Sequence, residues 1–400
     1  MIQTVVSNAS APEYGQATIS FPIREEDYPS VVNMLQRMGL GDPLERDCRV
    51  DEVCGNWPIL KRLEKVAINL DEMDYLAKRL DSFDAQEKAK FQAAAVRFGL
   101  FDMRHLIDLT FCCQETTVIT DFSDLEKVGR RHYLDVNGSS APSEELENVD
   151  GYETALLLIG DGDGTITPYG VIYDNGMQLR PVYDGQNFPL YQHQDAALVL
   201  GLTHESDLDM NSATTWLFLP ASAERLERAL KRGGFEPGSS IHCTCVGGNI
   251  QEELEARLDF ERESLKDLNT FASAIASIDE AQHAKFKAVI QMANPQSAAE
   301  MTALAQNLDL FDFVPGVHSP REYGEFMIRE SGHFDLDDDL APFIDYKAYG
   351  QKQIDAEGGV FNDQGYVAYK GPQSLSELMM RPPAEQRYAG PEMQMGGFSR

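Results

Sequence analysis

Asp161-Gly162-Asp163-Gly164 sets two carboxylates among glycines, the kind of run with which a loop can wrap a calcium ion. An EF-hand loop then needs Gly at its sixth position and Glu at its twelfth, where this chain has Ile166 and Ile172. The run therefore reads as a turn. Asp335-Leu336-Asp337-Asp338-Asp339 fails the same test, with Leu340 and Tyr346 at those places. His242, Cys243 and Cys245 form a possible zinc corner, but a structural zinc site needs a second close pair, and Cys48 with Cys54 is loosely spaced. Buried free thiols are the simpler account. His193 and His204, with Asp161 and Asp163, leave a metal-dependent enzyme as an alternative, set against solvated histidines that need no metal. No Gly-x-Ser-x-Gly elbow, phosphate loop or dinucleotide fingerprint occurs. These absences do not exclude an enzyme, because triads assemble from distant residues, but they remove any positive reason to propose one, and no metal site is expected.

The elements that would have to position such groups belong to a chain of 400 residues, room for two or three domains. Asp and Glu number 65 against 34 Lys and Arg, a net charge of −31. That sign excludes general electrostatic binding to DNA or to an anionic membrane. Basic surfaces are the partners it favours, among them the DNA-binding grooves of enzymes that handle DNA. No apolar run approaches the roughly 20 residues that span a bilayer. The start, Met1-Ile2-Gln3-Thr4, lacks a secretory pattern, and six sparse cysteines suit a reduced, cytoplasmic setting.

Sliding the sequence along itself by 195 residues gives a long, ungapped match. Leu35, Gly39 and Cys48 fall on Leu230, Gly234 and Cys243. The densest stretch sets Ala77, Ser82, Asp84, Ala89, Lys90, Phe91 and Ala93 on Ala272, Ser277, Asp279, Ala284, Lys285, Phe286 and Ala288. A tandem duplication is the reading. Met73, Leu76, Leu80 and Phe83 share a helical face, as do Leu268, Phe271, Ile275 and Ile278. Each copy opens its next helix with an Asp three residues before Glu87 or Gln282, the pattern of a capping box. Thr215–Leu219 reads as a strand, Ala223–Lys231 as a helix and Ser240–Val246 as a strand. Thr154–Ile159, Thr165–Tyr173, Met177–Val182 and Ala196–Leu202 look strand-like, with a hairpin signal at Asp174-Asn175-Gly176. The expected fold is α+β, with small α/β and helical modules in tandem and an antiparallel β-rich insert between the copies. The expected divisions are an N-terminal segment 1–16, a diverged first copy 17–152, the insert 153–211, a second copy 212–370 and a flexible tail 371–400.

The acids are clustered. Glu144 to Asp209 holds 13 acids and one base, Arg180, while Asp309 to Asp345 holds ten acids against Arg321 and Arg329. Like charges held close cost stability, so such rows point to a partner, with plain solubility as the alternative. Duplex DNA carries one charge per about 1.7 Å of axis, so the net charge matches about fifteen base pairs. Candidate partner-binding acids are Glu144, Glu145, Glu147, Asp161, Asp163, Asp309, Asp312, Glu322, Glu325, Glu330, Asp335, Asp337, Asp338 and Asp339.

From about Thr215 to Lys370 the chain resembles the ArdA antirestriction family. The likeness runs through Leu217-Phe218-Leu219-Pro220, Ala305-Gln306-Asn307-Leu308-Asp309, Phe311 to Gly316, and Glu322-Tyr323-Gly324-Glu325-Phe326. Its most specific block is Phe343-Ile344-Asp345-Tyr346-Lys347-Ala348-Tyr349-Gly350. The resemblance implies an elongated, acidic DNA mimic, carried by a phage or other mobile element. Such a protein occupies the DNA-binding groove of type I restriction–modification enzymes in the bacterial cytoplasm. It has no catalytic residue and no cofactor, and acts as a homodimer or, here, a single-chain pseudo-dimer. Three departures stand out: the extra copy with its insert, Gly247-Gly248-Asn249 where acids are expected, and basic runs at Lys61-Arg62 and Gly129-Arg130-Arg131-His132. The alternatives are an inhibitor of another nucleic-acid-directed defence enzyme, such as a CRISPR effector, and an acidic adaptor for a basic host protein.

Overall fold

Alternation of apolar and polar residues builds the first sheet. In β1 (Ile2–Asn8) residues Ile2, Thr4 and Val6 are buried, and in β2 (Gln16–Phe21) Ala17, Ile19 and Phe21, a half-buried antiparallel pattern. With β3 (Cys48–Gly55) and β4 (Ala67–Ile68) these strands form an antiparallel sheet of order β2-β1-β3-β4, and α1 (Tyr28–Arg37) connects β2 to β3. A computed structural model describes residues 1–380 apart from 139, 192–195, 205–213, 237–238, 251 and 332–342.

The chain continues through α2 (Leu70–Asp81), α3 (Ala85–Phe98), α4 (Met103–Leu109), β5 (Thr117–Ile119), α5 (Leu125–Val136), α6 (Ser143–Asn148), α7 (Gly151–Asp161), β6 (Thr165–Thr167) and β7 (Gly170–Tyr173). Strands β5, β7 and β6 form a second antiparallel sheet in that order. A third sheet has the order β10-β8-β9, from β8 (Leu198–His204), β9 (Thr215–Leu219) and β10 (Ile241–Gly247), with α8 (Ala223–Arg232) between the last two in sequence. Then follow α9 (Glu252–Glu255), α10 (Leu265–Ala276), α11 (Glu280–Ala293), α12 (Ala298–Ala305), β11 (Phe311–Pro315), α13 (Pro320–Arg329), α14 (Tyr346–Glu357), β12 (Val360–Phe361), β13 (Gly365–Tyr369) and α15 (Leu375–Met380). The last sheet has the order β11-β13-β12. The fold is α+β, helices with antiparallel strands in small sheets.

Two compact units divide the chain. One is Met1–Gln192 with Gly201–Leu217 and Ala221–His242; the other is His193–Leu200, Phe218–Pro220 and Cys243–Arg400. In the first, Met73, Leu76 and Leu80 of α2 are buried in one core with Phe91 of α3 and Leu106 of α4, and Trp57 meets Phe83 and Phe91 edge-on. In the second, Leu268 and Phe271 of α10 and Phe286 of α11 are buried, whereas Ile275 and Ile278 are only partly covered.

Four local expectations change. Thr154–Ile159 lies in α7, not in a strand. A short apolar run suits either state, and here Asp150 caps the helix by accepting the Glu153 amide. Met177–Val182 is not a strand: the Val182 and Tyr183 amides donate to the Asp108 carboxylate instead of to a sheet neighbour. The capping box forms at Asp84 and Glu87 but not at Asp279, whose side chain accepts no cap hydrogen bond. Helical structure also persists into the expected tail, where Ser374 bonds Glu377 and Leu378 is buried; residues 381–400 lie outside the described residues.

Candidate partner-binding surface

The acids of the second unit sit on short elements around the last sheet. Asp309 follows α12 and is exposed; Asp312 points outward from β11 and pairs with Lys370. Helix α13 begins at Pro320, with Ser319 accepting the Glu322 amide as its cap. One turn apart on that helix are Glu322, exposed, and Glu325, half-buried, and Glu330 stands exposed at its end. These three glutamates rim a cavity of about 360 Å³ whose other walls are Val314, Pro315, Gly316, Val317 and Phe326. Glu322 also accepts the His318 amide at 2.7 Å, and Glu325 lies 3.6 Å from Arg329.

Helix α13 is held from behind. Gly324 lies so close to α14 that a Cβ there would stand 1.9 Å from the Tyr346 carbonyl oxygen. Tyr323 and Tyr366 both donate to Glu357, and burial followed by that carboxylate raises both phenols. The Asp-Tyr-x-x-Tyr-Gly block therefore positions this surface: Asp345 caps α14, Tyr346 is buried, and Gly350 abuts the Pro320 carbonyl.

The other candidate acids are dispersed. Glu144, Glu145 and Glu147 are exposed on α6 in the first unit, where Tyr133 donates to Glu145 at 3.4 Å. Asp163 is fully exposed beside Arg97, which bonds chiefly to Asp174 at 2.5 Å. The Asp161 side chain and Asp335, Asp337, Asp338 and Asp339 lie outside the described residues, as does His193. His204 stacks on Phe235 at 4.3 Å and contacts the Gly233 carbonyl. Cys48 and Cys243 are buried free thiols, the latter raised to about 11 by burial. Among the described residues no group of three or more His, Cys, Asp and Glu is placed to hold a metal ion.

A second charged constellation, inside the first unit, was not foreseen from the sequence. Helix α8 presents Arg225, Arg228 and Arg232 along one stripe to Asp71, Glu72 and Asp74 of α2. Arg228 donates to Asp71 at 2.8 Å, and Tyr28 donates to the same carboxylate at 2.7 Å. Arg225 bridges Asp74 at 2.9 Å and Glu25 at 2.7 Å and lies over the Tyr28 ring. Arg232 donates to the Tyr183 hydroxyl, which donates to Glu72. Burial pushes the Asp74 carboxyl up, but Lys78, Arg225 and the Ile23 amide outweigh it and hold the group below the usual range. The available signal was the spacing itself, three arginines at i, i+3 and i+7. These acids are spent on internal pairing, so the formal charge overstates what the surface offers.

The model of the family described as antirestriction protein (ArdA) matches residues 211–368. This part of the chain is thus similar to the ArdA antirestriction family. No curated protein matches the chain. No helix among the described residues is long and apolar enough to cross a membrane.

Proposed function

We propose that the protein is an acidic DNA mimic that occupies the DNA-binding groove of a type I restriction–modification enzyme inside a bacterial cell. The observation that carries this reading is the row Asp309, Asp312, Glu322 and Glu330, exposed, with half-buried Glu325, within the stretch similar to the antirestriction family, with only Arg321 and Arg329 between them in sequence. Asp335, Asp337, Asp338 and Asp339 extend that row in sequence. Carboxylates in such a row replace phosphates and accept charge-assisted hydrogen bonds from the groove's Lys and Arg side chains. No bond is made or broken, and each contact is weak, so the inhibition is spread over many groups. Glu144, Glu145, Glu147, Asp161 and Asp163 are the further contacts the first half would supply.

The test is a cleavage assay with a type I restriction enzyme on unmethylated plasmid. Inhibition should be stoichiometric and relieved by excess target duplex. Unchanged cleavage at micromolar folded protein would reject type I enzymes as the target.

A further inference from the structure

The 195-residue offset that aligns the two sequences also aligns the structure, far beyond the stretch where residues are identical. Helices begin in pairs at Tyr28 and Ala223, Leu70 and Leu265, Ala85 and Glu280, Met103 and Ala298, Leu125 and Pro320, and Gly151 and Tyr346; strands begin at Thr165 and Val360, and at Gly170 and Gly365. Sheet orders repeat as β2-β1-β3 and β9-β8-β10, then as β5-β7-β6 and β11-β13-β12. Register repeats as well. Ile119 faces Val171 where Val314 faces Tyr366, and Thr165 faces Ile172 where Val360 faces Val367. A one-residue slip would turn each strand over, so coincidence at this level needs a common cause.

Backbone approaches repeat too. A Cβ on Gly129 would stand 1.8 Å from the Gly151 carbonyl oxygen, as one on Gly324 would stand 1.9 Å from that of Tyr346. Gly170 has φ +129° with its missing Cβ aimed at the Ile119 carbonyl; Gly365 has φ +142° and aims at Val314.

The surface does not repeat. On α5 the positions matching Arg321, Glu322, Glu325 and Phe326 hold Glu126, Lys127, Arg130 and Arg131. Lys127 and Arg130 are exposed, as Glu322 is, so the fold accepts either sign there. Asp135, which matches Glu330, is buried against Lys90 at 2.6 Å, whereas Glu330 is exposed. On α7, Tyr152, Leu156 and Leu157 are exposed where α14 carries Lys347, Gln351 and Lys352.

We propose that residues 2–173 and 197–368 are two copies of one fold that have divided their work. The acidic α13 face of the second copy meets the partner's cations, and the matching α5 face of the first copy, reversed in charge, does not. The division of work rests on the DNA-mimic reading; the duplication does not.

An experimental structure of the full chain tests the duplication without a partner. Matching registers at Ile119–Val171 and Val314–Tyr366 are expected, and a different register in either pair would overturn it. Reciprocal charge swaps in the full chain test the division, once wild-type inhibition is established. Glu322→Lys with Glu325→Arg should weaken inhibition at least tenfold, and the milder Glu322→Gln with Glu325→Gln should weaken it in the same direction. Lys127→Glu with Arg130→Glu should leave inhibition within about threefold of wild type. Any other pattern among variants with wild-type urea midpoints overturns the division. A wild type that inhibits nothing condemns the mimic reading, and the division with it, while the register test still stands.

Discussion

Arg228 and Asp71 are both almost fully buried, and each is the other's main charge partner. Removing one end of such a pair strands the other charge in a medium that solvates it poorly. Arg228→Met should therefore cost about 3–5 kcal/mol, read as a lower urea midpoint. Adding Asp71→Leu to that variant should recover most of the loss, since replacing both charges removes the stranded one. Asp74 gives the constellation a pH dependence. Its carboxyl is held below the value of about 3.9 that it has in an unfolded chain. The folded state therefore gains from its ionised form above roughly pH 4, and the gain disappears as pH falls through the folded value. Urea midpoints taken between pH 5 and pH 2.5 should fall, and Asp74→Asn should flatten that fall while lowering the plateau.

The paired helices give a sharper comparison because the two caps differ. Asp84 accepts the Gln86 and Glu87 amides at 2.7 and 2.8 Å, and Glu87 returns a bond to the Asp84 amide. Asp84→Ala should cost about 1 kcal/mol, whereas Asp279→Ala, which removes no cap bond, should cost only a few tenths on that scale. Equal losses in urea titrations would contradict the difference between the caps. Gly324→Ala and Gly129→Ala should each cost about 1–3 kcal/mol or more, because the added methyl must push one helix off another. Much at this scale was legible in the sequence: the helix pair from its apolar faces, β9, α8 and β10 from their periodicity, and the antirestriction resemblance from the block around Asp345 and Tyr346. What misled was length and context. Thr154–Ile159 is too short a run to distinguish strand from helix; the helix opens on the Asp150 cap and packs closely where Gly129 meets Gly151. Met177–Val182 is extended in composition, but Asp108 takes the amides that a strand would give to its neighbour. The buried α8–α2 arginine and acid stripes were visible only as separate charges, since nothing local in sequence joins Arg228 to Asp71.

For the molecule as a whole, the net charge of −31 is not a uniform coat. Asp71, Glu72, Asp74, Asp108 and Asp135 are turned inward in the first unit, while Asp309, Glu322 and Glu330 stay outside in the second. A partner that reads phosphates would therefore read part of this protein. Binding made of many exposed charge contacts should weaken as salt rises, because screening acts on every one of them. The most direct measurement is displacement of labelled target duplex from a purified type I methyltransferase core by the full chain, paired with the chain's own affinity for that core at two salt concentrations. The account predicts full displacement, mutual exclusion of duplex and protein, and an affinity that drops at least tenfold from 50 to 200 mM salt, by analogy with proteins that neutralise several phosphates. A ternary complex of enzyme, duplex and folded protein, or an affinity indifferent to salt, would contradict occupancy of the DNA groove.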